Sequence, residues 1–594
     1  MSRVVFLPSQ KAVEVPVGST ILEAATRAGV QLQSSCGGKG TCLKCTVKIP
    51  LPGESTEGLV LACQHTVEDD LVVTVDEQLD AHSRKIMFQH NMPVIVAPCV
   101  RKYQIELAQP RIDDQISDWE RLVSALPEKE IGFSRSVAMT LPHILRKENF
   151  LVTAVLDGNR LLAVEAGDTL ERSFGLGIDI GTTTVVVYLV DLNEGRVIAS
   201  GSATNPQQSF GADVIGRITH AASGPDRLGQ LQKQVIDCLN EIIGRLCREN
   251  GIEQREIYQA VVVGNTTMSH LFLGIDPTYL APAPFVPVYR KEVEVEAREL
   301  ELDILPTAKV VVLPNVAGYV GSDTVGVMVA ARVDRLAGIN LLIDIGTNGE
   351  IILAGKGKIL TCSTAAGPAF EGAEIKHGMR AAEGAIENVR ITTDVELSII
   401  GGGRARGICG SGLIDAIAEM LQVGVVDTSG RIIKSDNQVA KLPPLVQKRC
   451  RRNDSSGEFV LAWSKDSANG EDIVLTQKDV RELQLAKGAI RAGVNILLQE
   501  LGVSLQDIDR VMLAGAFGNY VQKESAVRIG LLPALPPDRI MTIGNAAGEG
   551  AKMALLSVPE RKRAQELARC TEHIELSNQK NFQEEFLKAL SFEV

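Results

Sequence analysis

The chain has 594 residues, a formal net charge of −12 and an ordinary hydrophobic fraction of 45%. That length calls for several domains, each large enough to bury its own core. The acidic balance argues against nonspecific nucleic-acid binding, and no uninterrupted run of about 20 apolar residues marks a membrane span.

RVVFLP and AVEVPV open the chain as two short strands around a turn, and STILEAATRAGV follows as a helix capped by Ser19 or Thr20 and closed by Gly29. Next come Cys36, Cys42, Cys45 and, after seventeen intervening residues, Cys63. Cysteine thiolates hold iron–sulfur clusters, and the plant-type two-iron centre uses C-x4-C-x2-C with a distant fourth cysteine. Here the first spacer is one residue longer, C-x5-C-x2-C. Gly37, Gly38 and Gly40 permit the tight loop that points backbone N–H groups at sulfide. TVKI and VEDDLVVTV then resume strand alternation, completing the ββαβ order of a β-grasp ferredoxin. Tetrahedral zinc on four thiolates is the competing reading, although zinc sites usually combine two close cysteine pairs and only one is present. Lys11, Lys39, Lys44 and Lys48 surround this region with positive charge, as a partner surface or simply as solvated surface. MSRVVFLPSQ lacks the long apolar run of a secretory signal, and the seven other cysteines are scattered. Both observations point to a cytoplasmic protein without a disulfide framework. Among those seven, Cys409 in GICGSG stands out for its glycine-rich setting.

The first domain is expected to cover residues 1–78, followed by a linker over 79–99 and a small mixed α/β domain over 100–172. In that third segment DDQISDWERLVSALPE and VAMTLPHILRKEN read as helices, and FLVTAVLDGNRLLAVEAG as a hairpin turning at Asp157-Gly158. Trp119 and His143 read as packing and helix-surface residues, and the segment as scaffolding or a dimer contact.

From 173 to the end, one plan occurs twice. FGLGIDIGTTTVVVYLVDL and LLIDIGTNGEIILAG are each strand, Asp-Ile-Gly-Thr turn, strand, with Asp179 and Asp344 165 residues apart. The repetition points to a duplicated fold with a cleft between its halves. Gly181 and Gly346 let the hairpin backbone approach phosphoryl oxygens. Thr182, Thr183, Thr347 and Asn348 add side-chain donors, with Gly349 and Glu350 completing the second turn. Asp179 and Asp344 would hold Mg²⁺, directly or through water. Two ordinary β-turns in a large α/β protein are the bland alternative. Gly264-Asn265 in VVVGNTTM, Gly515, Gly518 and Asn519 in VMLAGAFGNY, and TIGNAAGEGAKMALL each follow a strand and fit the same cleft. Asp323, after Gly321, is a candidate for orienting water or Mg²⁺ at the γ-phosphate, or else a helix cap. The segment with Glu371, Glu374 and His377 reads as a moving loop or partner surface. No P-loop and no strand-borne G-x-G-x-x-G is present.

Together these residues resemble the reductive activators of corrinoid-dependent methyltransferases and corrinoid iron–sulfur proteins, over nearly the whole chain. The resemblance rests on the cysteine quartet, DIGTTT at Asp179–Thr184, DIGTNGE at Asp344–Glu350, VVVGNTTM at Val261–Met268 and LAGAFGN at Leu513–Asn519. Ala516 stands where the adenosine motif more often has a second glycine. The resemblance implies a [2Fe-2S] ferredoxin-like domain and a C-terminal actin/heat-shock-70/sugar-kinase-like ATPase domain, giving a multidomain α/β and α+β fold. It also implies ATP-dependent reduction of Co(II) cobalamin to Co(I) on a corrinoid protein partner. An upstream low-potential reductase, ferredoxin or flavodoxin, and a homodimer, are implied with it; nucleic acid and membrane are not. The rival readings are an electron donor to another metalloenzyme and a redox-sensing ATP-dependent binding module.

Overall fold

A computed structural model of the chain describes residues 1–8, 10–28, 30, 45–50, 57–75, 94–128, 130–211, 213–346, 348–372, 374–379, 381–453, 456–468, 470–515 and 521–592. The N-terminal domain is a five-stranded sheet: β1 (Ser2–Leu7), β2 (Lys11–Val15), β3 (Thr46–Pro50), β4 (Glu57–Leu61) and β5 (Leu71–Thr74). Its order is β2-β1-β5-β3-β4, with β5 parallel to β1, which is the β-grasp arrangement. The helix Ile21–Arg27 buries Ile21, Ala24 and Ala25 against Val4, Phe6 and Val15. Thr20 caps it: Glu23 N–H donates to Thr20 Oγ1 at 3.2 Å and Thr20 N–H to Glu23 Oε2 at 3.0 Å, a reciprocal capping box. Gly29, expected to close the helix, lies outside the described residues. β4 is not expected from the sequence; EGLVL has no clear alternation and becomes a strand by pairing with β3, Thr46 opposite Leu61.

A second sheet comprises β6 (Val100–Glu106), β7 (Leu151–Asp157) and β8 (Arg160–Ala166), with the β7–β8 turn at Gly158 as expected. Its helices are shorter than the sequence implies. Asp114 joins Arg111 in a turn, and the helix runs only over Asp118–Ala125, capped by Ser117. The next helix is broken into Arg135–Ala138 and Leu141–Lys147. Pro142 explains the break, since proline fits a helix's first turn but cannot continue one from before it. Trp119 packs on Phe133, ring centroids 4.8 Å apart, and His143 is exposed on its helix. The sheet shares a core with the C-terminal part of the chain: Val100, Val155 and Leu162 pack with Val261 and Val311. Lys102 adds a 2.7 Å ion pair to Glu165, which also accepts the Tyr258 hydroxyl at 2.5 Å.

The remaining chain repeats one plan. The first half has β9 (Phe174–Ile180), β10 (Thr184–Asp191), β11 (Val197–Thr204), β12 (Ile257–Gly264), β13 (Val293–Glu296) and β14 (Lys309–Val312). They lie in the order β11-β10-β9-β12-β14-β13. The second half begins with β15 (Ile339–Ile345), β16 (Gly349–Gly355) and β17 (Lys358–Thr364). An insertion comes next, carrying β18 (Ala385–Ile391), β19 (Val395–Ile399) and β20 (Gly407–Ile408) in one small sheet. β21 (Cys450–Asn453), β22 (Ser456–Ala462) and β23 (Ile473–Thr476) form another. β24 (Ile508–Ala514), β25 (Ile540–Gly544) and β26 (Glu572–His573) return to the main sheet, ordered β25-β24-β15-β16-β17-β26. The central strands are buried on both faces, so their apolar runs do not alternate. Burying each such aliphatic side chain is worth roughly 1.5–3 kcal/mol.

The halves meet through helices Ser322–Ala331 and Ala546–Leu556, which extend from β14 and β25. A Cβ on Gly550 would lie 2.1 Å from the Gly326 carbonyl oxygen, so the two backbones touch where any side chain would hold them apart. The helix starts converge on the ends of β9 and β15, where the cleft lies.

Candidate functional site

Asp179 and Asp344 occupy the same place in the two halves, next to last in β9 and β15. Strand register settles what each faces. Asp344 stands opposite Glu350 on β16 and beside Ala514 on β24. Glu350 stands opposite Ser363, whose hydroxyl donates to Glu350 Oε1 at 3.4 Å. Directly opposed residues project to one face of a sheet, so Asp344, Glu350 and Ser363 make a polar row. Asp323 enters from the first turn of helix Ser322–Ala331. The cap position there belongs to Gly321, and Asp323 Oδ1 accepts the Thr324 N–H at 2.7 Å.

These four carboxyl groups titrate abnormally. Burial pushes Asp179 up to about 7, with Asp323's charge adding to it and a hydrogen bond from Asn545 opposing. Burial and the charges of Asp323 and Asp179 push Asp344 up to about 7. Burial raises Asp323 to about 6 against its Thr324 hydrogen bonds. Glu350 is driven well above the carboxylate range by burial and by Asp323 and Asp344. The charges acting on these groups are one another's. Among the described residues, no three His, Cys, Asp or Glu side chains converge closely enough to grip an ion directly. The arrangement fits a hydrated divalent cation, held through water and completed by ligand oxygens.

The first Asp-Gly turn is tied from behind. Asn205 Nδ2 donates to Gly181 O at 2.9 Å, Arg217 Nη2 to Thr182 O at 2.5 Å, and Asn205 N–H to Thr183 O at 2.9 Å. With its carbonyls so engaged, the turn's peptide planes are fixed. Asn265 caps helix Thr266–Leu273, taking the Met268 N–H at 2.9 Å, and its Nδ2 donates to Thr182 Oγ1 at 2.9 Å. Gly264 N–H donates to Ser322 Oγ at 3.1 Å, joining this strap to the Asp323 helix. In the second turn, Gly346 N–H bonds Asn348 O at 3.0 Å, and Gly349 opens β16. Gly515 follows β24 with φ +87°, and a Cβ there would sit 2.6 Å from Asp344 Oδ1; glycine is demanded on both counts. Thr347, Gly518 and Asn519 lie outside the described residues.

Asn205, Arg217 and Ser363 are not among the residues expected at the site from sequence, whereas Asn545 lies in TIGNAAGEGAKMALL, a segment expected to fit the cleft. Asn545 caps helix Ala546–Leu556 through a 3.0 Å bond from Gly548 N–H and reaches Asp179 in the other half. The repeated Gly-Asn dipeptide, Gly264-Asn265 and Gly544-Asn545, is the signal that singles it out within its segment. Fully buried Arg217 has no motif around it. Cys409 is buried at a helix cap, its thiol on Ile386 O at 3.3 Å. His377 is half-buried, with its pKa lowered by that burial.

In the N-terminal domain, Cys45 leads into β3 and Cys63 follows β4, and both are buried in the domain core. Ala62 N–H donates to Cys45 O at 2.8 Å, and Gln64 Nε2 approaches Cys63 Sγ at 3.8 Å. Two core thiols at the same end of one hairpin suit a shared inorganic centre. Cys36 and Cys42 lie outside the described residues.

Comparison with known proteins matches four family profiles end to end. A 2Fe-2S iron-sulfur cluster binding domain covers residues 5–68, the RACo linker region 89–171, the RACo middle region 174–336, and the C-terminal domain of RACo, the ASKHA domain, 338–594. The corrinoid activation enzyme RamQ of Eubacterium limosum is 34% identical over 593 residues, 99% of each chain. The chain belongs to the RACo family. A [Co(II) methylated amine-specific corrinoid protein] reductase of Methanosarcina barkeri is 25% identical across 70% of this chain and 77% of its own. A solved structure of a reductive activator for corrinoid,iron-sulfur protein superposes with a TM-score of 0.76 at 38% identity, covering 100% of this chain and 98% of that one. The ferredoxin-like and duplicated actin-like fold expected from sequence holds.

Proposed function

We propose that this chain passes one electron at a time from a two-iron cluster in its N-terminal domain to Co(II) of a corrinoid protein, restoring Co(I), and that ATP hydrolysis in the C-terminal cleft drives the transfer. Full-length similarity to a corrinoid activation enzyme supports the choice of acceptor. The observation carrying the ATP reading is the meeting of Asp179, Asp323, Asp344 and Glu350 in one cleft with only each other's charge to face. Buried carboxylates in that state are costly, and Mg²⁺ with nucleotide phosphates is the complement they fit. When bound, the metal supplies charge neutralisation at the phosphoryl oxygens and the cluster supplies the one-electron donor.

Within this reading Asp179 and Asp344 orient the hydrated ion, and Asp323 positions the attacking water. Thr182, Thr183, Thr347 and Asn348 donate to the phosphates, with Gly181, Gly264, Asn265, Gly346, Gly349 and Glu350 shaping the two turns around them. Gly515, Gly518 and Asn519 flank the adenosine. Cys36, Cys42, Cys45 and Cys63 ligate the cluster. The electron is replenished by an upstream low-potential reductase, ferredoxin or flavodoxin, in the cytoplasm, and the working unit is a homodimer. ATP couples to reduction by changing the affinity of activator and corrinoid protein for one another between nucleotide states.

A double dissociation tests the assignment. Metal analysis and electron paramagnetic resonance of the reduced protein should show two irons per chain and a two-iron signal. Cys42→Ala should lose that signal and keep nucleotide binding, and Asp344→Ala should keep the signal and lose hydrolysis. Stoichiometric zinc without iron would sink the electron-transfer reading.

A further inference from the structure

The long helix Gln477–Leu501 lines a cavity of about 320 Å³ that contains none of the cleft residues. Lys487 and Arg491, one helical turn apart, both face it. Lys487 is 1% exposed; its ammonium donates to the Ser591 carbonyl and lies 5.0 Å over the Phe592 ring. Neither partner carries negative charge. Burial and the neighbouring guanidinium lower Lys487 to about 8, which leaves it mostly protonated at neutral pH. Arg491 is half-buried and has no hydrogen bond or ion pair among the described residues. The carboxylate lining the cavity, Glu585, acts on Arg491 through its charge without a direct bond, because its oxygens are shared out: it accepts Asn495 Nδ2 at 2.8 Å and pairs with Lys588 at 3.8 Å. Like charges four residues apart destabilise a helix, and two desolvated cations facing one carboxylate, itself shared with Lys588, leave buried positive charge that is costly. Leu505 and Leu535, both half-buried, line the same cavity together with Leu532 and Pro533 and supply aliphatic surface.

Two desolvated cations and aliphatic carbon lining one cavity describe the two ends of a ligand. We propose that this cavity binds a small aliphatic carboxylate, its head group forked by Arg491 with Lys487 behind it, and its body against Leu505 and Leu535. A guanidinium suits this task because its planar donors match a carboxylate in a bidentate fork.

The test is calorimetric titration of the full chain, cluster in place and the cleft filled with Mg²⁺ and a non-hydrolysable ATP analogue. Sodium butyrate, acetate and inorganic phosphate are the titrants, each at matched ionic strength. Butyrate should bind at one saturable site, about tenfold tighter than acetate because of its two additional methylenes. Arg491→Gln should weaken butyrate at least tenfold while leaving the analogue's affinity unchanged. Lys487→Met provides a second variant with the same expectation, and unfolding temperatures establish that each variant is folded. No saturable heat from butyrate up to roughly tens of millimolar, or undiminished binding by Arg491→Gln, would overturn the site. Phosphate binding as tightly as butyrate would overturn the carboxylate class, since a bare oxyanion makes no use of the aliphatic surface.

Discussion

Opposite Asp179, across the first hairpin, stands Val186; opposite Asp344, across the second, stands Glu350. The strands around the two aspartates follow the same order, yet the surroundings differ in kind. The first turn has its carbonyls fastened by Asn205 and Arg217 and its threonine held by Asn265. The second brings a further acid to the cleft and has Gly515, at a positive φ only glycine adopts freely, packed against Asp344. Duplication supplies the frame, and the two copies differ in what surrounds it: we propose that the first turn, with its fastened carbonyls, serves mainly to hold phosphate, and that Asp344 and Glu350 of the second weigh most on the metal and the hydrolytic step.

The largest expected effect is in the second half. Asp344→Ala should lower ATP hydrolysis by about 100-fold or more, the scale on which a lost electrostatic contact to the reacting group is felt, with nucleotide affinity little changed. Asn205→Ala should do the opposite. Losing a buried donor behind the first turn costs about 1–3 kcal/mol, read as a rise in KM for ATP of roughly 5- to 150-fold with kcat nearly kept. If Asn205→Ala lowered kcat alone, the division of labour would fail.

Exchanging the facing residues sharpens the contrast further. Glu350→Gln removes a buried acid whose ionisation is opposed by its neighbours, so the metal-free protein should melt a few degrees higher while hydrolysis falls. Val186→Glu creates a like pair opposite Asp179 and should lower the melting temperature. Thermal unfolding in chelator, together with steady-state hydrolysis, reads both.

pH gives a smaller effect with a definite sign. Asp179 and Asp344 are raised to about 7 and Asp323 to about 6 in the folded chain, against about 3.9 when unfolded. The folded state therefore holds protons that the unfolded state has released. Stability without metal should fall as pH rises from about 4 to 7 and level off above. Mg²⁺ with nucleotide should recover the loss. Asp415 is a control, raised by burial to about 7 but outside the cleft, where Asn388 donates to it at 2.5 Å. Asp415→Asn should stabilise the chain at pH 8 and not at pH 5, with or without Mg²⁺.

Much of this was legible in the sequence because short-range chemistry dictated it. Asp179, Asp344, Gly181 and Gly346 announce themselves by a repeated turn, and Cys45 and Cys63 by spacing and strand context. Asn205 and Arg217 were not legible: each acts on a turn more than 20 residues away in the chain, and only the fold brings them to it. Glu350 was read as part of a turn, and its standing as a charge opposite Asp344 comes from strand register, which the sequence does not specify locally. The helix break before Pro142 was the reverse case, a local signal outweighed in the reading by apolar periodicity.

ATP is proposed to drive the electron from the cluster to cobalt. The direct measurement is anaerobic: the reduced protein is mixed with a Co(II) corrinoid protein, and Co(I) absorption is followed with Mg²⁺ and ATP, with Mg²⁺ alone, and with Asp344→Ala plus ATP. Co(I) should accumulate substantially only with wild-type protein and ATP. Equal and complete reduction without nucleotide would contradict the coupling at its root.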